Sequence, residues 1–317
     1  MEAVPALPPL TTARWLTEWS VDVPVLVASV LAMAVYGLAV RRVRAEGGRW
    51  SVGACCWFVV GGIGSLLLIT CSFLGTYSRT LFWPLAVQDV LLLTLVPVAL
   101  TLGRPVALWH AVRRSPPTSS WRRVRRVLGF PLTGSVVAVT LLLLVYTTGW
   151  DQARLEHPAL LEATRLLLLA AGCGFVWPLL GIDEGTGRTS YPVRAMIAFL
   201  DGLLDAIPGL AVLGTGHVIA ASYYAHVRLA GTTAAQAQRT GGTAMIALSE
   251  LVGLPALLVL LVAWVRSDVR QATDVDAALD AVAEDRAAQE RPWWEVDAGP
   301  LADRAHRHGW KQEPPPT

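Results

Sequence analysis

The sequence predicts an all-α integral membrane protein, a bundle of about seven transmembrane helices. Three observations point there. Apolar residues make up 54% of the 317 positions and charged residues only 16%, against about 25% charged in soluble domains. Seven separate stretches each approach the roughly 20 apolar residues that cross a hydrocarbon core. Arginines concentrate in alternate connecting loops.

Residues 1–22 are Pro-rich, with Trp15 and Trp19 suited to a membrane interface. They lack the charged start, short apolar core and small-residue site of a secretory signal, and the arginine bias described below makes them an expected extracytoplasmic segment. The transmembrane domain is expected over 23–265, with spans near 23–40, 51–75, 81–102, 131–150, 160–182, 193–213 and 241–265. RRVR (Arg41–Arg44) closes the first span. The third stretch, LFWPLAVQDVLLLTLVPVALTLGRPV, organises the rest. It buries Gln88 and Asp89 and carries Pro84 and Pro97. A carboxylate at that depth costs about 2.5–3.5 kcal/mol on insertion scales, so Asp89 should have a partner or a task.

Arg41, Arg42, Arg44 and Arg49, then seven arginines from Arg104 to Arg126, then Arg188 and Arg194 fall on one side. The positive-inside rule then places the N-terminus outside and the C-terminus in the cytoplasm. Residues 266–317 form a cytoplasmic tail, with a helix over Ser267–Gln289 from the spacing of Val275, Leu279 and Val282. The end, with Trp293, Trp294 and PPP, should be loosely ordered.

Placed by depth, Gln88, Asp89, Glu162, Arg165, His217 and Glu250 fall in the outer half of the membrane. They suggest a polar cavity that could receive a metal or a partner helix. The bland alternative is a set of interhelical contacts, chiefly an Asp89–Arg165 ion pair. Asp201 and Asp205, four apart on one face, form a second group. With Glu250 they could relay protons in a small-molecule or ion transporter; the bland alternative is neutral carboxyls bonded to neighbouring groups. Copper prefers Cys, Met or His, yet the four methionines form no close pair, and Cys55, Cys56, Cys71 and Cys173 lack zinc or disulfide spacing. The cysteines are expected to pack within helices. No HExxH, nucleophile elbow or Gly-rich phosphate loop occurs, so no enzyme is specified. No basic patch interleaved with aromatics suggests nucleic acid.

QDVLLLTLVPVALTLGRPV resembles the marker segment of the CtaG family of cytochrome c oxidase assembly factors, HMxQHxLLxxxxPxLLxLGxP. Gln88, Pro97, Gly103 and Pro105 are in register. HPALLEATRLLLLAAGCGFVWPLL resembles the family's region ending in a WP pair, here Trp177 and Pro178. QRTGGTAMIALSE resembles a later segment through Gln238, Gly241, Gly242 and Glu250, and Trp264 and Asp268 close the match. The family's histidines are missing. Leu85 and Asp89 replace both in HMxQH, LEATR places Leu161, Thr164 and Arg165 where HxxEH would be, and Ala237 replaces the aspartate of a DQ pair. The resemblance implies a non-enzymatic assembly factor in the cell membrane. It implies cytochrome c oxidase subunits or a copper donor protein as partners, alongside the lipid bilayer. Copper is possible as a cofactor, but its family-type ligands are absent. The substitutions suggest that a metal site became an Asp89–Arg165 ion pair.

Overall fold

The computed structural model describes residues 7–8, 10–11, 14–113, 131–180, 191–227, 231–289 and 300–308. Every regular element among them is helical. Five helices are long and apolar enough to cross a membrane, or six if one bent pair is a single span. The chain divides into two compact units, Met1–Leu261 and Val262–Thr317.

Helix α1 (Val23–Ala45) starts where the Asp22 carboxylate accepts a hydrogen bond from the Val25 amide at 3.2 Å. Such a cap satisfies an amide that the first helical turn leaves free. Arg42 and Arg44 lie in its last turn, where cations complement the carbonyl end of the helix. Helix α2 covers Val52–Cys71 and widens to a π-helical stretch at Trp57–Ile63. Within that stretch, a Cβ on Gly62 would strike the Leu100 side chain. The missing side chain at Gly62 therefore lets α2 lie close against the third span.

That third span is broken into α3 (Phe82–Leu93) and α4 (Leu95–Leu102) at Thr94. Proline has no N–H for the carbonyl four residues back, so Pro97 leaves the Leu93 carbonyl without its helical partner. The Thr94 hydroxyl donates to the Val90 carbonyl at 2.7 Å. On the neighbouring helix, a Cβ at Gly172 would collide with the Leu93 carbonyl and the Pro97 ring. Only a residue without a side chain fits against the break.

The resemblance motif GRP has a local explanation. Gly103 leaves no room for a Cβ beside Phe58, and its carbonyl accepts a 2.7 Å bond from the Tyr36 hydroxyl, itself held by Trp50 Nε1 at 3.1 Å. Arg104 takes a left-handed backbone conformation (φ 55°), and Pro105 then opens helix α5 (Pro105–Arg113), a position where its missing N–H does no harm.

Helix α6 (Pro131–Thr147) turns through 74° into α7 (Trp150–Glu156). Residues 151–156, which fall between the fourth and fifth expected spans, are therefore helical. At the bend, Thr147 and Thr148 donate to the carbonyls of Leu143 and Leu144. His157 is extended, as residues before proline prefer to be, and Pro158 begins α8 (Pro158–Leu180). Helix α9 (Tyr191–Gly214) contains Pro208 and α10 (Ala234–Gln289) contains Pro255. The stretch expected as a seventh span lies within α10. The side chains of residues 252, 256, 259 and 260 lie outside the described residues, as do the side chain of Pro178, most of the arginine-rich loop, and Trp293 and Trp294. The cysteines are free and helical, although Cys56 is exposed.

The core of the first unit is built around α3, with Leu81, Phe82, Leu85, Ala86 and Val90 joined by Leu142, Tyr146, Leu161, Leu168 and Met245. Close approach of α8 at Gly172 should make that position intolerant. Gly172→Leu is expected to lower stability by about 1–3 kcal/mol or more through overpacking. Gly174→Leu, where a Cβ meets nothing within 4 Å, should be nearly neutral. Thermal unfolding of the two variants in detergent checks the difference.

Candidate functional site: a buried arginine between two aspartates

Asp89 is buried, at 1% exposure, and its partner is not Arg165. Arg154 Nη1 and Nη2 donate to Asp89 Oδ1 and Oδ2 at 3.1 and 2.7 Å. This two-pronged geometry is the strong form of a guanidinium–carboxylate contact. Arg154 Nε and Nη2 also donate to Asp151 Oδ1 at 2.9 and 2.7 Å. The Tyr146 hydroxyl donates to Asp89 Oδ2 at 2.5 Å, and the guanidinium lies 5.4 Å from the Tyr146 ring centre. Asp151 and Arg154 are fully buried. One guanidinium thus faces two carboxylates.

Arg165 belongs to a separate cluster. Its Nη1 donates to Asp22 Oδ2 at 2.6 Å and to Glu162 Oε1 at 2.7 Å, and its Nη2 reaches Gln88 Oε1 only at 3.5 Å. The expected Asp89–Arg165 pair is therefore corrected. Each residue found an opposite charge nearer to hand, Arg154 from the bent helix and Asp22 from the cap of α1. Asp22 lies 143 residues from Arg165 in sequence, and Arg154 falls between the fourth and fifth expected spans.

The other expected residues do not converge on Asp89. Gln88 Nε2 donates to the Ile69 carbonyl at 2.8 Å, tying α3 to α2. His217 is exposed, and its carbonyl, not its ring, accepts from Gln238 Nε2 at 3.2 Å. Gln238 also bonds the Val212 carbonyl, the Thr215 hydroxyl and the Ile219 amide, so it clamps the chain leaving α9. Glu250 lies within electrostatic reach of Asp205. Trp177, with Cys173 and Arg104, lines a separate cavity beside the GRP motif.

Sequence reasoning missed Tyr146, Asp151, Arg154 and Tyr224. Asp151 and Arg154 stand three apart, the spacing of a helical ion pair, and that was the available signal. Tyr224, outside the spans, is fully buried around its hydroxyl, which has no hydrogen-bond partner. Burial, and then the nearby charge of Asp151, holds its pKa well above the usual tyrosine range. Asp151 Oδ2 is likewise buried and unbonded.

The four positions expected to carry the family's histidines do not fit copper. Leu85 and Leu161 are core side chains, Asp89 has both oxygens engaged, and Arg165 is a cation in an ion pair. Thr164, at the glutamate position, accepts from Trp150 Nε1 at 2.9 Å. Among the described residues, no group of three or more His, Cys, Asp or Glu could hold a metal.

If the geometry governs stability, Asp89 and Arg154 should be strongly coupled and Asp89 and Arg165 nearly independent. Asp89→Asn or Arg154→Met alone should cost about 3–5 kcal/mol, because a buried charge is left unpaired. A double-mutant cycle read by unfolding should give a coupling within about 0.5–3 kcal/mol for Asp89 with Arg154. Coupling of the same size for Asp89 with Arg165 would contradict the structure.

Comparison with known proteins supplies the context. The family described as cytochrome c oxidase caa3 assembly factor (Caa3_CtaG) matches residues 34–267. An uncharacterized protein of Mycobacterium bovis (Mb0105) and one of Mycobacterium tuberculosis (MT0111) are each 28% identical over 288 residues, covering 86% of this chain and 43% of the relative. An uncharacterized protein of Mycobacterium leprae (ML1998) is 26% identical over the same length. The chain spans less than half the length of these relatives. No solved structure matches it. With more than half of its residues matched by that one family, the chain belongs to the caa3-type cytochrome c oxidase assembly factors.

Proposed function

We propose that this chain is a non-enzymatic assembly factor for cytochrome c oxidase that works as a scaffold. It sits in the cell membrane as seven spans, with the N-terminus outside and the tail in the cytoplasm. It holds an oxidase subunit, or a protein that donates copper to one, at the outer half of the bilayer. Family membership supports the oxidase assignment. One observation carries the scaffold reading: the positions expected to ligate metal are filled by core leucines and by charges already spent on Arg154, Asp22 and Glu162. A buried ion cluster of that kind fixes how helices sit against one another, which is what a docking platform requires.

Cytochrome c oxidase activity in membranes of a strain lacking this chain tests the reading. Activity should fall, the wild-type gene should restore it, and added copper should not. Recovery with copper alone would show metal delivery and overturn the scaffold. Undiminished activity would remove the oxidase assignment.

A second reading, a proton-coupled transporter of ions or small molecules, is supported by the carboxylates Asp201 and Asp205 on the wall of an apolar cavity, with Glu250 near Asp205. A scaffold should still restore oxidase activity with Asp205→Asn, whereas a transporter that depends on the relay should not.

A further inference from the structure

A cavity of about 230 Å³ lies within the first unit, between α4, α6, α8, α9 and α10. Phe175, Val176 and Leu179 of α8 give it an apolar wall, and Asp201 and Asp205 of α9 place two carboxylates on it. Asp201 is buried, at 9% exposure. Neither aspartate is in an ion pair among the described residues. Behind the cavity wall, the fully buried Ser135 hydroxyl stands within hydrogen-bonding reach of Asp201. Leu93 and Gly172 also face the cavity. There the Leu93 carbonyl, which Pro97 cannot satisfy, packs against Gly172. The cavity wall therefore offers acceptors and apolar surface, and its lining residues include no positive charge.

That combination selects its occupant. Two carboxylates in a low-dielectric setting need a cation, or they must give up their charge. A hard metal ion would want six or more oxygens, and the walls supply few. A soft metal would want sulfur or imidazole, and the wall contains neither. Water alone would find two to four polar partners only near the aspartates, leaving most of the volume against hydrocarbon. An ammonium group on an apolar body satisfies both halves. Its N–H donors reach Asp201 and Asp205, one helical turn apart on the same face, while the body lies against Phe175 and Leu179.

We infer that this cavity binds small organic cations, a protonated amine with an apolar body. The inference concerns binding alone. It stands whether or not the chain assembles an oxidase.

The test uses the full chain purified in detergent and 2-phenylethylammonium as the probe, followed by isothermal titration calorimetry. Saturable binding is expected, with at least tenfold weaker binding of uncharged 2-phenylethanol. Asp205→Asn should weaken the ammonium at least tenfold. Gly253→Leu should do the same while keeping both carboxylates, because Gly253 lines the cavity and a Cβ there meets nothing within 4 Å. If Asp205→Asn does not fold, Gly253→Leu decides. No saturable binding to the wild type, equal affinity for the alcohol, or unchanged affinity in Gly253→Leu would each overturn the site.

Discussion

The fold of the membrane unit depends on Arg154. Its guanidinium is fully buried and lies between Asp89 of α3 and Asp151 of its own short helix. Desolvating three charged groups is costly, and mutual attraction offsets the cost only when the geometry is good and the remaining lone pairs are bonded. Asp89 meets that condition, with both oxygens engaged by Arg154 and one also by Tyr146. Tyr146 precedes the 74° bend, while Asp151 and Arg154 follow it. The cluster therefore grips Asp89 from both sides of the bend. The bend puts Arg154 where it can reach Asp89, and the ion pair holds the bend. Neither makes sense without the other.

This mutual dependence explains what was and was not legible in the sequence. That Asp89 needed a partner followed from its depth in an apolar stretch, and the structure supplies one. Which partner it was could not follow. Distance along each span gives depth only within the spans, and Arg154 falls between two of them, where a charge is ordinarily solvated. Its burial is a tertiary event created by the turn after Thr147. Arg165 had the same fate from the other direction. Its partner Asp22 lies in what reads as an extracytoplasmic segment and reaches Arg165 because it caps α1. Opposite charges at similar depth are abundant enough that depth alone does not choose between them.

The motif residues were legible as positions, but their work was not. Gln88 and Gln238 invite a binding role, since amides offer both donors and acceptors. In the structure they serve the backbone instead, Gln88 holding Ile69 and Gln238 holding the turn after α9. Gly103 is fixed by Phe58 and Tyr36. Gly242 lies against Gly209, each leaving no room for a side chain on the other. Such contacts set distances between helices and are indifferent to which polar groups occupy the site. None of these glycine contacts involves Leu85, Asp89, Leu161 or Arg165, the positions where the resemblance would place histidines.

The two polar regions of the membrane unit meet at the break in the third span. Asp89 precedes Thr94 by little more than one helical turn, and Leu93 and Thr94 themselves line the cavity that holds Asp201 and Asp205. The break exists because Pro97 removes a donor, and Gly172 allows α8 to pack closely against the Leu93 carbonyl there. A helix unbroken at this point would turn the residues after Thr94 relative to Asp89 and close the Leu93 carbonyl into its own ladder. Asp89 could keep Arg154, or Val98 and Leu102 could keep their places on the cavity wall, but one register would have to move. The proline is thus what allows a single span to serve an ion cluster at one end and an acidic cavity at the other.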